Sequence, residues 1–170
     1  IADLLTISRI HGTITTGGLF KLDEEISEII AEVKESHPLV DISFEKSIST
    51  PPILAEKQLA FIVFFNIISN AAEYSDPKRA KVDIKIAKEK DYYLFSCRNN
   101  GLTISPEEQP KIFSGVYRSK KAREMQKSGT GIGLYLVRMI TNLLEWQVWF
   151  ESPIKNGSGT IFYVKIPIKG

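Results

Sequence analysis

Residues 56–74 read EKQLAFIVFFNIISNAAEY, a segment that is apolar on nearly every side. A helix of that composition predicts burial on both flanks, as between a sheet and neighbouring helices. Its exceptions fall in register. Asn66, Ser69, Asn70 and Glu73 stand at i, i+3, i+4 and i+7, so a helix carries them as one polar stripe on an otherwise apolar cylinder. Burying the two asparagines unpaired costs roughly 1–3 kcal/mol each, so the stripe faces either water or a ligand.

Working outward, LDEEISEIIAEVKESHP sets Leu22, Ile26, Ile29, Ile30 and Val33 on a helical stripe that Pro38 ends. Residues 39–46 alternate as a strand does, and PPIL at 51–54 allows a short extended piece on an edge. The opening IADLLTISRIHGTI has apolar residues at a/d-like spacing and no capping residue, so it reads as the tail of a longer helix. GTITTGG at 12–18 breaks it. Downstream, VDIKIA alternates and YYLFSC is aromatic and β-rich, which predicts a hairpin across about residues 80–98. A loop-rich stretch runs from 99 to 128, a helix follows to about residue 144, and QVWFES and GTIFYVKIPI supply two closing strands. That order predicts an α+β fold, a two-layer sandwich with helices on one face of a mixed sheet of about five strands.

A second stretch carries chemistry. SGTGIGLYLVRMI, residues 128–140, sets Gly129, Gly131 and Gly133 on alternate positions at the mouth of a helix. Glycine lets backbone approach a ligand, and a helix start offers unpaired amides with partial positive charge, so the pair makes a phosphate cradle. Taken alone, the same run is also a plain turn with glycines for helix packing. It is neither a dinucleotide fingerprint, because no strand precedes it, nor a P-loop, because no Gly-Lys-Ser/Thr ends it.

Composition sets the bounds around these motifs. The 170 residues are 43% hydrophobic and 25% charged, as expected of a single globular domain with a small appendage. A net charge of +2 gives no support to nucleic acid or an anionic membrane as a partner. The lone Cys97 makes no internal disulfide, so a reduced, cytoplasmic setting is expected. Apolar runs stop near about ten residues, too short to span a bilayer.

Together the motifs resemble the ATP-binding catalytic domain of sensor histidine kinases, in the superfamily that also holds the gyrase and mismatch-repair ATPases. NIISNAAEY is similar to that family's N box, NNGLTI to its first glycine box, KIFSGVYR to its F box, and GTGIGL to its second glycine box. The resemblance covers about residues 20–170 and implies a Bergerat-type fold. LLTISRIHG resembles the end of the dimerisation helix, so residues 1–18 are expected to be helix tail and linker, and 19–170 the catalytic domain.

The resemblance implies roles for individual residues. Asn70 holds Mg2+ with Asn66 beside it, and Tyr74 lies by the ribose and phosphates. Asn99, Gly101 and Ile104 form the adenine pocket, with Thr160 near the base and Phe113 in the F box. Arg118 neutralises the γ-phosphate, while Gly129, Thr130, Gly131, Gly133 and Leu134 wrap the phosphates. SKKAREMQKS, residues 119–128, is the lid. The implied activity is transfer of the γ-phosphate of ATP to a histidine upstream of this chain, because His11 and His37 sit beside a glycine and a proline at helix ends. The implied partners are the dimerisation and phosphoacceptor domain of a homodimeric parent and a response regulator. Neither nucleic acid nor direct membrane contact is expected.

Three positions depart from the pattern. Asn99 stands where the family has aspartate, which exchanges a charge-assisted hydrogen bond to the base for a neutral one, about fivefold in affinity. Its amide also offers a donor to O6 of guanine. Thr103 replaces a glycine, and Glu73 replaces a basic residue that faces phosphate, an acid that repels the ligand unless it pairs with Lys78 or a lid lysine. The departures keep an alternative open: a degenerate module that binds nucleotide weakly or not at all and acts through protein interaction. A gyrase-type hydrolase fits less well, because Glu73 lies three residues beyond the magnesium asparagine, the wrong place for that family's catalytic glutamate.

Overall fold

The computed structural model describes residues 17–46, 52–126, 129–155 and 157–168. The expected helix tail at 1–16 lies outside the described residues. Strand β1 (Gly18–Phe20) leads into helix α1 (Leu22–Ser36), followed by strands β2 (Asp41–Lys46) and β3 (Ile53–Ala55). Helix α2 (Lys57–Glu73) comes next, then the hairpin β4 (Lys81–Lys88) and β5 (Tyr92–Asn99). A 3-10 turn (Gln109–Lys111), the short helix α3 (Lys120–Met125), helix α4 (Gly133–Leu143) and strands β6 (Gln147–Glu151) and β7 (Thr160–Pro167) complete the order.

Strands β2, β4, β5, β7 and β6 form a five-stranded sheet in that order. Only the β2–β4 pair is parallel; the other pairs are antiparallel, so the sheet is mixed. The period of two along each strand decides which side is inside. Val82, Ile84 and Ile86 of β4, Tyr93, Phe95 and Cys97 of β5, and Phe162, Val164 and Ile166 of β7 are buried on one face. Helices α1, α2 and α4 cover that face, with α2 touching both α1 and α4 as well as β4 and β5. On the outer face the strands alternate to half-exposed residues, and Trp149 stacks on Tyr163 with ring centroids 5.2 Å apart. Trp146, by contrast, is buried in the core.

Each helix ends where its sequence says it should. Acidic Asp23, Glu24 and Glu25 occupy the first turn of α1 and Lys34 the last, which complements the helix dipole. The Glu56 carboxylate accepts from the Gln58 amide at 3.3 Å and caps α2. Beyond α4, Glu145 turns the chain at φ 60°, and the Trp146 amide closes back on the Thr141 carbonyl at 2.7 Å.

Three short elements escape the sequence reading: β1, and the 3-10 turn and α3, which fall in the stretch read as loop-rich. Gly18–Phe20 pairs antiparallel with Ile53–Ala55 in a separate two-stranded ribbon. The extended piece at PPIL is thus paired, with β1 and not with the main sheet. Three residues carry no periodicity of their own, so only pairing with a segment far along the chain makes β1 a strand.

The centre of the core is aromatic. Phe64 of α2 lies 4.8 Å from the Phe95 ring and 5.8 Å from that of Trp146, and is fully buried. Phe64→Ala is expected to remove about 3–5 kcal/mol of unfolding free energy, read as a lower midpoint in urea denaturation.

Candidate functional site

The packing of α2 leaves one side of it uncovered. Ala60, Val63, Phe64, Ile67, Ile68, Ala71 and Ala72 are buried, while Asn66, Asn70, Glu73 and Tyr74 line a cavity beside α4 and the 99–119 loop. The cavity has a volume of about 260 Å³, just below the roughly 300–1,000 Å³ usual for small-ligand clefts. Asn99, Ile104, Arg118, Gly129, Thr130, Gly131, Gly133, Leu134 and Thr160 line the same space. Asn66 and Thr160, 94 positions apart, therefore border the same cavity.

Two residues from the expected set are elsewhere. Gly101 packs behind the wall, where an added Cβ would meet the Tyr74 carbonyl oxygen at 2.2 Å. Phe113 lies under the Arg138 guanidinium at 4.4 Å and against Phe150 and Phe162, so its part is to support the wall, not to line it. Gly101 permits the close approach of loop and helix end. The sequence reading missed Leu102, Ile112, Ala122 and Phe162, which supply apolar wall, and Glu108 and Tyr117. Of these only Phe162 had a local signal, since it shares the inner face of β7 with Thr160.

The end of α2 is tied to the sheet through one carbonyl. The Tyr74 carbonyl accepts from the Leu102 amide at 2.8 Å and from Asn99 Nδ2 at 2.9 Å. Asn99 Oδ1 in turn accepts from the Thr160 amide at 3.2 Å. Asn100 braces the same turn, accepting from the Asp76 and Lys81 amides and donating to the Arg79 carbonyl. Thr103 is tied as well: its hydroxyl oxygen accepts from the Gly159 amide at 3.1 Å.

Around the glycine run the backbone is open. Helix α4 begins without a side-chain cap, and no acceptor for the Gly133, Leu134 or Tyr135 amides is found among the described residues. These are the unpaired donors that every helix start presents. Gly131 turns at φ 75°, a conformation that favours glycine. A Cβ on Gly133 would sit 2.4 Å from Asn66 Oδ1, so the helix start and α2 meet there. Asn66 Nδ2 donates to the Ile62 carbonyl at 2.8 Å, which holds the side chain in place. The Asn70 side chain has no hydrogen-bond partner among the described residues, and neither Asn70 nor Glu73 has an ionic partner. The pairing of Glu73 with Lys78 or a lid lysine is therefore not found among them.

Arg118 is held by acceptors only. Its Nη1 donates to the Gly129 carbonyl at 2.8 Å, and Nη2 to the Ala122 carbonyl at 3.0 Å, the Gln126 carbonyl and the Tyr74 hydroxyl at 3.3 Å. The guanidinium thereby ties α3 to the glycine run and to the end of α2. Burial raises the Tyr74 hydroxyl pKa, against the opposing pull of the Arg118 hydrogen bond. Among the described residues, the charged ones lining the cavity are Glu73, Glu108 and Arg118, two carboxylates against one cation. No cluster of three or more acidic, histidine or cysteine side chains able to hold a metal exists among the described residues. No described helix is long and apolar enough to cross a membrane.

Comparison with known proteins agrees with this geometry. The profile of the histidine kinase-, DNA gyrase B- and HSP90-like ATPases matches residues 55–170. The chain belongs to that ATP-binding family. Among curated relatives, the sensor histidine kinase RppB of Synechocystis is 29% identical over 99% of the chain, which spans 37% of that protein. The sensor protein CiaH of Streptococcus pneumoniae is 39% identical over 66% of the chain and 24% of its own length. The chain thus spans well under half of these relatives. The catalytic domain of the histidine kinase ThkA superposes with a TM-score of 0.77 at 25% identity, covering 92% of this chain and all of that one. A mycobacterial sensor histidine kinase, MprB, shares the fold at a TM-score of 0.76 and 18% identity, over 89% and 97% of the two chains.

Two outcomes follow from these contacts. Gly101→Ala forces the loop off the end of α2 and is expected to cost about 1–3 kcal/mol of stability in denaturant titration. Arg118→Ala releases α3, so amides of residues 120–126 are expected to exchange hydrogen faster while those of β5 do not change.

Proposed function

We propose that the cavity binds ATP with Mg2+ and that the chain is the catalytic part of a sensor histidine kinase, which transfers the γ-phosphate to a histidine outside these residues. The supporting observation is convergence: unpaired amides at the start of α4, the Arg118 guanidinium and the uncommitted Asn70 amide all border one space.

In this reading the amides of Gly133 and Leu134 donate to phosphate oxygens, and Arg118 exchanges backbone carbonyls for the γ-phosphate. Gly129, Thr130 and Gly131 keep the backbone close. Asn70 offers an uncharged oxygen to the metal, with Asn66 beside it, and Thr160 and Ile104 flank the base with Asn99. Phosphoryl transfer needs positioning and charge stabilisation more than a protein nucleophile, and these groups supply both. One arginine against two carboxylates does not neutralise a triphosphate. A divalent ion supplies the missing positive charge, and Mg2+ bound mainly through phosphates needs only one or two protein oxygens.

The accepting histidine is expected in a dimerisation domain of a homodimeric parent. A response regulator is the expected final recipient. Among solved structures, ThkA in complex with its response regulator TrrA has the same fold, at a TM-score of 0.75.

The negative balance of the cavity also favours a second reading, a module that keeps the fold and works by protein contact without nucleotide. Calorimetric titration separates the two. Mg-ATP is expected to bind, and EDTA to weaken binding at least about tenfold. Asn70→Ala is expected to reduce Mg-ATP affinity by a similar factor while leaving metal-free ATP unaffected. A chain that binds no ATP with or without the metal is the second kind of module.

A further inference from the structure

The side chain of Asn99 lines the cavity yet is only 4% exposed, and its orientation is dictated by its neighbours. Nδ2 faces the Tyr74 carbonyl, which only accepts, and Oδ1 faces the Thr160 amide, which only donates. Turning the amide over would set oxygen against oxygen and N–H against N–H. The orientation therefore follows from the backbone. An asparagine amide carries two donor hydrogens and two acceptor lone pairs, and the protein uses one of each. One N–H and one lone pair remain.

The other polar groups on this side add no fixed preference. Glu108, a carboxylate lining the cavity, is engaged with the Ser105 amide and hydroxyl at 3.3 and 3.0 Å and with the Tyr117 hydroxyl at 3.5 Å. Thr160 Oγ1 donates to the Leu102 carbonyl at 3.0 Å and shares a hydrogen bond with Ser152 Oγ at 2.9 Å.

Purines differ at this edge by an exchange of donor and acceptor. Adenine offers an amino donor at C6 beside the N1 acceptor; guanine and hypoxanthine offer the O6 acceptor beside an N1–H donor. A carboxylate facing position 6 accepts from the adenine amino group but sets lone pair against lone pair at O6. We infer that the amide of Asn99, pinned between Tyr74 and Thr160 with one donor and one acceptor left over, makes this pocket accept 6-oxopurine nucleoside triphosphates as well as ATP. The inference rests on the triphosphate reading above and specifies which bases that site admits.

Inosine triphosphate is the deciding probe, because it reverses the pattern at position 6 without adding the 2-amino group of guanine. Calorimetry of the whole chain with Mg2+ is expected to give ATP and ITP dissociation constants within about tenfold of each other. Asn99→Asp leaves acceptors only, so the ITP-to-ATP ratio of dissociation constants is expected to rise at least about tenfold, since a site rejects a base that leaves its buried polar groups unpaired. The same variant cannot donate to Tyr74 and is expected to melt at a lower temperature. If it does not fold, the wild-type ratio alone decides. ATP binding with ITP weaker by more than about a hundredfold overturns the inference and leaves the kinase reading standing. A ratio that does not move in Asn99→Asp also overturns it, because the base is then read elsewhere. Failure of every nucleotide to bind overturns the kinase reading and the inference with it.

Discussion

The structure depends on the contact between the apolar side of α2 and the sheet. Phe64 sits against Phe95 and Trp146, and Ile67, Ile68 and Ala71 continue the same face toward the cavity. A helix advances about 100° per residue, so fixing that face inward fixes where Asn66, Asn70 and Glu73 point. Rotating α2 by one residue would bury the asparagines and expose phenylalanine, at a cost of several kcal/mol in burial and unpaired polar groups. The core thus sets the site: of the buried residues that hold the helix only Ala71 borders the cavity, yet together they decide what does.

A polar clasp completes what packing begins. At the end of α2 the Tyr74 carbonyl takes hydrogen bonds from Leu102 and Asn99, and Asn99 continues to Thr160 on β7. The Tyr74 hydroxyl reaches Arg118 on the other side. One residue therefore joins the half of the cavity walled by Leu102, Ile104 and Thr160 to the half formed by Arg118 and the glycine run. Arg118 in turn is satisfied by backbone carbonyls, an arrangement that keeps α3 drawn against the glycine run and that a phosphate would have to displace. The cavity is organised by the protein's own bonds, with no acceptor for the first amides of α4 among the described residues and the arginine held on carbonyls.

Much of this was legible in the chain. The helices at 22–36 and 57–73, the hairpin and both closing strands announce themselves by period, because each is long enough to repeat its pattern against a single buried face. The stripe of Asn66, Asn70 and Glu73 and the glycines at 129, 131 and 133 marked two parts of one cavity's lining, since polar residues in an apolar helix and glycines at a helix start both break local rules. What did not show was anything made by contact alone. β1 is three residues that become a strand only beside β3. Gly101 and Phe113 were singled out yet stand behind the wall, while Leu102 and Ile112, their neighbours in the same two motifs, form it.

The amino-acid sequence by itself determined the long elements, the sandwich and the residue types gathered at the site, because periodicity and turn chemistry are local properties of the chain. Only the tertiary structure decided that Arg118 rests on the carbonyls of Ala122 and Gly129, that Glu73 lacks a cation among the described residues, and which way Asn99 presents its amide. Those outcomes turn on distances between segments remote in sequence. Hydrogen bonds and charges act over a few ångströms, and no spacing along a chain encodes which distant donor will arrive within reach.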